Sequence, residues 1–287
     1  MASQIQQRLD KERMLREASA NEQFVLFYQP QVSLDTGKIV GVEALARWQH
    51  PEKGIISPND FIALAEQLGL VSQLGYWTIK TACEQIAEWH QAGLSYVQVG
   101  VNISPAYFQD PTLLDTIKEL LAKNQVPPQY LQLEITENGL QTVGRIEIFN
   151  QLRDLGVKIA IDDFGSGFSS LASLKELPLD GLKIDKMFIE DLLSNPHTPL
   201  LLGTIIGLAN ALNFTLVAEG VETKDQASVM LGLGCHIMQG FLFSRPVSGK
   251  EIPNMMAIDF SMNNIANRLN DHPGNVTETK AEAIKHT

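Results

Sequence analysis

Eight strand-like segments predict an α/β protein: a (β/α)8 TIM-type barrel whose first strand is reversed. The first two segments are joined by a turn too short for a crossover helix, and the others alternate with helix-periodic stretches. A second observation agrees: nearly every segment delivers a polar or charged residue near its carboxyl end, where such barrels carry their sites. The clearest segment runs into the stretch KIAIDDFGSGFSS, Lys158 to Ser170. Val157, Ile159 and Ile161 alternate with Lys158, Ala160 and Asp162, a period of two, and Gly165 and Gly167 then break regular structure.

In chain order, residues 1–20 are helix-prone, with Ile5, Leu9 and Leu15 set among charges. Phe24 to Val32 reads as the first strand, Asp35-Thr36-Gly37 as a turn, and Lys38 to Trp48 as an antiparallel second strand. Folding this hairpin sets Gln29 roughly opposite Val42 and Glu43, while Gly41, Glu43, Leu45 and Arg47 share one face. Ser57, Pro58 and Asp60 suit the cap, first position and first turn of a helix striped by Phe61, Leu64, Ala65 and Leu68. A second helix runs from about Ser72 to Ala92 and ends at Gly93. Tyr96 to Ile103 is the third strand and carries Asn102; a helix over Thr112 to Lys123 follows. Tyr130 to Thr136 is the fourth, with Glu134 in it and Glu137 just beyond. A helix from Val143 to Leu155 leads into the strand that ends in Asp162 and Asp163.

Phe168 to Leu177 is a short helical crossover, and Gly181 to Asp185 is the sixth strand, with Lys183 and Asp185 on one face. A helix over Pro199 to Asn213 precedes the seventh strand, Phe214 to Ala218, which runs into Glu219-Gly220-Val221-Glu222. After a helix over Lys224 to Leu233, His236 to Met238 is the eighth strand, ending in Gln239-Gly240-Phe241. Two residues before Glu43, Asn102, Asp162 and Lys183 stand Gly41, Gly100, Ala160 and Gly181, which would leave space beneath the polar rim; Gln132 and Val217 do not follow this rule. From about Ser261 the chain turns polar and is expected to fray. The division expected is thus a linker helix over 1–21, the barrel over 22–260, and a polar tail over 261–287.

The chain has 287 residues, 44% of them hydrophobic, enough for one large barrel. A net charge of -11, from 33 acidic and 22 basic residues, argues against a binder of nucleic-acid polymers. An acidic protein still binds a phosphorylated small molecule when metals supply the positive charge. Cys83 and Cys235 stand in unrelated contexts and read as reduced core thiols. The start has no apolar signal-peptide core. Thr198 to Ala218 carries no charge, but Pro199, Asn210 and Asn213 interrupt it, so it reads as a buried helix and a strand, not a membrane span. A soluble chain without membrane contact is expected.

The rim gathers Glu43, Arg47, Asn102, Glu134, Asp162, Asp163, Lys183, Glu219 and Gln239. An amide oxygen with several carboxylates, and no His or Cys, is a hard oxygen-donor set suited to Mg2+ or Mn2+. The six histidines form no HxH or HExxH pairing. Clustered carboxylates raise one another's pKa unless cations compensate, and paired cations suit in-line displacement at phosphorus. Asp162 is placed to bridge two ions and Asp163 to serve the second. Lys183 is a candidate to orient the attacking water or stabilise charge at phosphorus, and Glu219 is a candidate base or second-metal ligand. Arg47 is a candidate grip on a non-reacting phosphate. Asp163-Phe-Gly165 lacks the companion motifs of a kinase, Gly165-Ser-Gly167 lacks the lysine of a phosphate-cradling loop, and no GxSxG exists.

These residues resemble the EAL-domain cyclic di-GMP phosphodiesterases. The name-giving motif stands at Glu43-Ala44-Leu45, with YQP at Tyr28 to Pro30, VNIS at Val101 to Ser104 and EITE at Glu134 to Glu137. DDFGSG at Asp162 to Gly167, LKID at Leu182 to Asp185, EGVE at Glu219 to Glu222 and QGF at Gln239 to Phe241 complete the set, which covers roughly residues 22–250. The resemblance implies that Glu43, Asn102, Glu134 and Asp162 bind a first metal, and Asp162 and Asp163 a second, with Lys183 and Glu219 activating water. It implies that Glu137 anchors the loop after Asp163 and Glu222 another site loop. Gln29, Leu45, Arg47, Asp185 and Gln239 resemble substrate contacts. The implied reaction is hydrolysis of cyclic di-GMP to linear pGpG with two divalent cations, Mg2+ or Mn2+. A homodimer, an upstream GGDEF or sensor domain, and a cytoplasmic location, with a parent that is in some cases membrane-anchored, belong to the same expectation. Two alternatives stand beside it: a non-catalytic cyclic di-GMP receptor on the same fold, and a barrel phosphodiesterase for another nucleotide.

Overall fold

The computed structural model describes residues 12–18, 21, 23–143, 146–167 and 171–265. β1 (Phe24–Ser33) and β2 (Lys38–His50) form the opening hairpin, with Gln29 paired to Glu43 and Pro30 to Val42. Gly37 closes its turn at φ 65°, a left-handed conformation that favours glycine. β3 (Gly54–Ile56) folds back on the end of β2. β4 (Gln98–Asn102), β5 (Leu131–Thr136), β6 (Lys158–Phe164), β7 (Gly181–Ile184), β8 (Thr215–Ala218) and β9 (Ile237–Gln239) then run parallel in sequence, starting from β2. β1 closes the barrel by pairing antiparallel with both β2 and β9, and the short β10 (Val247–Ser248) pairs with β1 as well. The eight barrel strands are the ones expected, and the first is reversed. β3 and β10 are additional: runs of three and two residues carry too little pattern to be read.

The parallel strands β4 to β9 are mostly buried on both faces, as parallel barrel strands must be. Val99 and Val101, Leu131, Leu133 and Ile135, and Ile159 and Ile161 face the helical shell and join Ile79, Ile117 and Leu152 in one continuous core. The helix Lys224–Leu233 shows how locally the shell is specified. Thr223 and Gln226 form a reciprocal capping box at its start, and Gly234 at φ 95° ends it.

Several short helices were not expected. Glu137–Val143 begins directly after β5, Pro105–Phe108 follows β4, and Lys186–Asp191 follows β7. Two of them carried a readable start: the Ser104 side chain accepts from Tyr107 N, and Asp185 from Met187 N. Ser57 does hold the N-cap position of Pro58–Gln67, but its side chain makes no capping bond.

The helix Thr198–Ala211 departs from the expectation of burial. Leu202, Ile206 and Ala209 are buried, yet Leu200 is 73% and Leu201 54% exposed. The helix is apolar all round, so packing one face leaves the other apolar face in solvent. No helix among the described residues is long and apolar enough to cross a membrane. Cys83 and Cys235 are both buried and free.

At the amino end, residues 12–18 are helical and dock Leu15 and Ala18 against Phe24, Trp48, Phe61 and Leu70; Ile5 and Leu9 lie outside the described residues. At the other end, packing continues past the expected boundary. Phe260 and Ile265 are buried, so the fold reaches at least Ile265, and the rest of the expected tail lies outside the described residues.

Candidate functional site

The parallel register brings the carboxyl ends of the strands to one rim. Asn102 pairs with Glu134, Glu134 with Ala160, and Thr136 with Asp162 across neighbouring strands. The small residues one layer down have a physical role that differs by position. A Cβ at Gly100 would overlap the Glu134 carboxylate, and one at Gly41 would lie 2.9 Å from Gln31 Oε1. One at Gly181 would lie 3.3 Å from Ala160 Cβ. Gly100 therefore keeps the space that Glu134 occupies. Gly100→Ala should lower stability by about 1–3 kcal/mol, the usual penalty for overpacking, and should displace Glu134. Urea unfolding of the variant would check the first effect and its Mn2+ affinity the second.

At the centre of the rim lies Lys183, 1% exposed. Its Nζ is 2.6 Å from Glu219 Oε1, 2.7 Å from Glu134 Oε2, and 3.2 Å from both Glu43 Oε2 and Asp162 Oδ1. One ammonium thus faces four carboxylates. Burial by itself would depress the Lys183 pKa, but Asp162, Glu134, Glu219 and Glu43 together hold it well above its ordinary value. The carboxylates divide. Burial would raise Glu43, yet Lys183 and the amide donors of Gln239 and Asn102 outweigh it and hold this carboxyl below its usual range. Burial pushes Glu134 up to about 8 against the pull of Lys183, with Glu43 and Asp162 adding to the rise. Burial likewise raises Asp162 and Glu219, each opposed by Lys183. Negative charge is in excess here, and further cations would relieve it.

Asp162 and Asp163 are consecutive, and in a regular strand their side chains would point to opposite faces. A register irregularity between Ile161 and Phe164, with Asp163 at φ 53°, turns the second carboxylate back towards the first. Burial, then Asp162 and Asp185, push the Asp163 carboxyl up to about 6, against a weaker pull from Lys183.

Two groups of oxygen ligands result. Glu43, Glu134 and Asp162 each offer a carboxylate oxygen within 4.8 Å of the others, and so do Asp162, Asp163 and Glu219. Asp162 belongs to both. Asn102 donates through Nδ2 to Glu43 Oε1 at 2.7 Å, so its amide oxygen is the atom this bond leaves available. All-oxygen donors with excess negative charge, in two groups that share one carboxylate, fit a pair of hard divalent cations.

Around this centre the other expected residues are placed as follows. Gln29 and Gln239 are buried beside Glu43: Gln239 Nε2 donates to Glu43 Oε2 at 2.6 Å and to Gln29 Oε1 at 3.1 Å. Leu45 and Arg47 line an open cavity of about 620 Å3 together with Asn102, Glu134, Asp162 and Asp163. The Arg47 guanidinium donates to Ala46 O, and partial burial lowers its pKa. Glu137 is buried, and its Oε2 accepts from Gly165 N at 2.8 Å and Gly167 N at 3.1 Å, pinning the turn after Asp163. Asp185 caps the helix that follows it and stands near Asp163. Glu222 is exposed; its backbone N–H donates to Gln226 Oε1, and its carboxylate is not among the clustered groups.

Sequence reasoning passed over an amide layer below the carboxylates. Gln132 Nε2 donates to Glu134 Oε1 at 3.0 Å, and Gln31 Nε2 to Gln239 Oε1 at 3.1 Å. The readable signal was a buried-strand glutamine two residues from a rim position, as Gln132 is from Glu134. That same residue broke the small-residue rule, because it is bonded to the rim and does not merely make room for it.

Charge-assisted bonds such as those of Glu137 contribute about 1.5–3 kcal/mol each. Glu137→Ala should therefore speed amide exchange at Gly165 and Gly167 by about 10-fold or more, at 1.4 kcal/mol per tenfold, while leaving core amides such as Leu133 protected. Hydrogen exchange read by NMR or mass spectrometry would check it.

Comparison with known proteins adds a family. A family profile described as "EAL domain" matches residues 12–246. The bifunctional diguanylate cyclase/cyclic di-GMP phosphodiesterase MucR of Pseudomonas aeruginosa is 39% identical over 254 residues, 88% of this chain and 37% of that protein. The signaling protein YkoW of Bacillus subtilis is 42% identical over 244 residues, 84% of this chain and 30% of that protein. The chain thus spans about a third of the length of the curated relatives it matches. Among solved structures, the PaMucR phosphodiesterase in complex with c-di-GMP superposes with a TM-score of 0.80 at 40% identity, covering 86% of this chain and 99% of that one.

Proposed function

The chain belongs to the EAL domain family, and from that membership we propose that it hydrolyses cyclic di-GMP to linear pGpG by in-line attack of water on one phosphodiester. The observation that carries this reading is the pair of oxygen clusters sharing Asp162 at the barrel rim. Glu43, Asn102, Glu134 and Asp162 would hold one divalent cation, and Asp162, Asp163 and Glu219 the other, as Mg2+ or Mn2+. When bound, such cations supply the charge that polarises a phosphodiester and acidifies a water.

The remaining work falls to the chain's own side chains. Glu219, its carboxyl raised by burial, is suited to accept a proton from the attacking water. Lys183 keeps its charge at neutral pH and is suited to orient that water and to stabilise charge gathering on the phosphoryl oxygens. Arg47 and Leu45 border the cavity where the dinucleotide would lie; both would contact it, Arg47 by gripping a non-reacting phosphate. Gln29 and Gln239 would set the floor of that subsite, and Asp185 its far edge. Glu137 holds the turn behind Asp163, and Glu222 would steady the loop after Glu219.

The wider setting follows the same reading. Residues 22–260, with the packed stretch up to Ile265, would be the catalytic domain, 1–21 a connecting helix, and the residues after Ile265 a polar tail. An upstream GGDEF or sensor domain fits the multidomain relatives, and a homodimer would cover the exposed Leu193, Leu200 and Leu201. The location proposed is cytoplasmic, where the messenger acts. The test is incubation of the pure chain with cyclic di-GMP and Mg2+ or Mn2+, followed by chromatography for pGpG. Stoichiometric pGpG is the expected product. Tight binding without product would replace the enzyme by a receptor on the same fold, and neither binding nor product would remove both readings.

A further inference from the structure

Among the described residues Gln31 has no hydrogen bond to a proposed metal ligand; it reaches the site only through Gln239. It lies opposite Gln239 across the antiparallel pairing of β1 with β9, and it is 5% exposed. Its Nε2 donates to Gln239 Oε1 at 3.1 Å. Gln239 in turn spends Nε2 on two acceptors, Gln29 Oε1 at 3.1 Å and Glu43 Oε2 at 2.6 Å. A primary amide has one acceptor end and one donor end. Fixing the oxygen of Gln239 therefore fixes which end faces Glu43. Turned over, Gln239 would set its carbonyl oxygen against the oxygens of both Glu43 and Gln29, two acceptor-on-acceptor contacts in a buried place.

Gln31 itself is held in the required orientation. Its Oε1 sits against Gly41, where a Cβ would approach to 2.9 Å, so the oxygen has room because residue 41 has no side chain. Gln29 is tied at its other end, Nε2 donating to Ser244 O at 3.1 Å. The chain of bonds runs one way, from Gln31 through Gln239 to the carboxylate of Glu43, whose other oxygen receives Asn102.

We propose that Gln31 is a positioning residue: through the amide of Gln239 it sets the orientation of the Glu43 carboxylate for cation binding. The idea rests on the metal-dependent reading above. Partners that orient a metal ligand typically change metal affinity or activity by about 10–100-fold when removed.

Mn2+ binding by isothermal calorimetry, without substrate, is the test, on the wild type, Gln31→Met and Gln31→Glu. Methionine keeps length and loses the donor. Glutamate keeps size and polarity but only accepts, so it would draw the N–H of Gln239 away from Glu43. The expected result is Mn2+ affinity weakened about 10-fold in Gln31→Met and more in Gln31→Glu. A Mn2+ titration of activity should show the same displaced midpoint, with kcat largely restored at saturating Mn2+. A lowered melting temperature with unchanged Mn2+ affinity would reduce Gln31 to packing and overturn the proposal, as would failure of both variants to fold. A wild type that binds no Mn2+ would instead overturn the functional reading on which this one stands.

Discussion

Lys183→Met is expected to give a protein that still takes up Mn2+ but turns over cyclic di-GMP at least about 100-fold more slowly, the scale of losing one charge stabiliser in a closed site. The physical reason is the crowding at the rim. Lys183 Nζ lies within 3.2 Å of four carboxylates, and it is the one cation in contact with them among the described residues. Removing one partner of a buried ionic cluster typically costs about 3–5 kcal/mol, because the charge left behind has no compensation. Part of that cost is relieved by protonation, since Glu134 already stands near about 8 and the loss of Lys183 raises it further. Its folded-state pKa lies above the unfolded one, so the metal-free variant should regain stability as pH falls and lose it as pH rises through the folded value. Mn2+ should restore stability at neutral pH by supplying the missing charge. Melting curves with and without Mn2+ at two pH values, beside initial rates, check every part of this. A variant that keeps wild-type turnover would remove Lys183 from the chemistry.

Glu43→Ala acts on the other side of the balance. It removes one carboxylate from an over-crowded negative cluster, so Glu134, Asp162 and Glu219, each pushed up by Glu43, should all ionise more readily. Against that gain, the amides of Asn102 and Gln239 lose their shared acceptor, at about 1–3 kcal/mol for a buried donor left unmet. The fold should therefore survive with a modest loss of stability. Turnover should not: one of the three carboxylates in the first cluster is gone, and a fall of roughly 1000-fold or more is expected, at the upper end for a lost charge-stabilising group. Chromatographic assay for pGpG together with thermal melting would check this. Loss of activity through unfolding would show as a lost melting transition.

The two predictions depend on different parts of the chain's legibility. The rim was readable because strand alternation is rigid: Glu43, Asn102, Glu134 and Asp162 are in phase with apolar neighbours, and phase survives errors of a residue or two at strand ends. Asp163 was read as a neighbour of Asp162, but alternation alone would send it to the opposite face. The irregularity at Ile161–Phe164 that re-aims it depends on backbone geometry that spacing does not encode. Lys183 was read as a rim residue that orients water or stabilises charge at phosphorus, without its carboxylate partners. Its place at the focus of four carboxylates follows from how far each strand is staggered around the closed barrel, which no local pattern reports. The helix Thr198–Ala211 was read as buried because an uncharged sequence looks the same whether its outer face meets the rest of the chain or solvent. Gln31 was passed over, and Gln132 noted only as an exception to the small-residue rule, because their bonding partners on β9 and within β5 are what give them a role.

The central claim is that one barrel rim holds two divalent cations through carboxylates that share Asp162. Counting Mn2+ by equilibrium binding with electron paramagnetic resonance tests it most directly. The account predicts two ions per chain, spin-coupled at a separation of about 3.5–4 Å, with the pair reduced to a single uncoupled ion in Asp163→Asn. Two distant uncoupled ions, or a coupled pair that survives the combined change Glu43→Ala and Asp162→Asn, would contradict it.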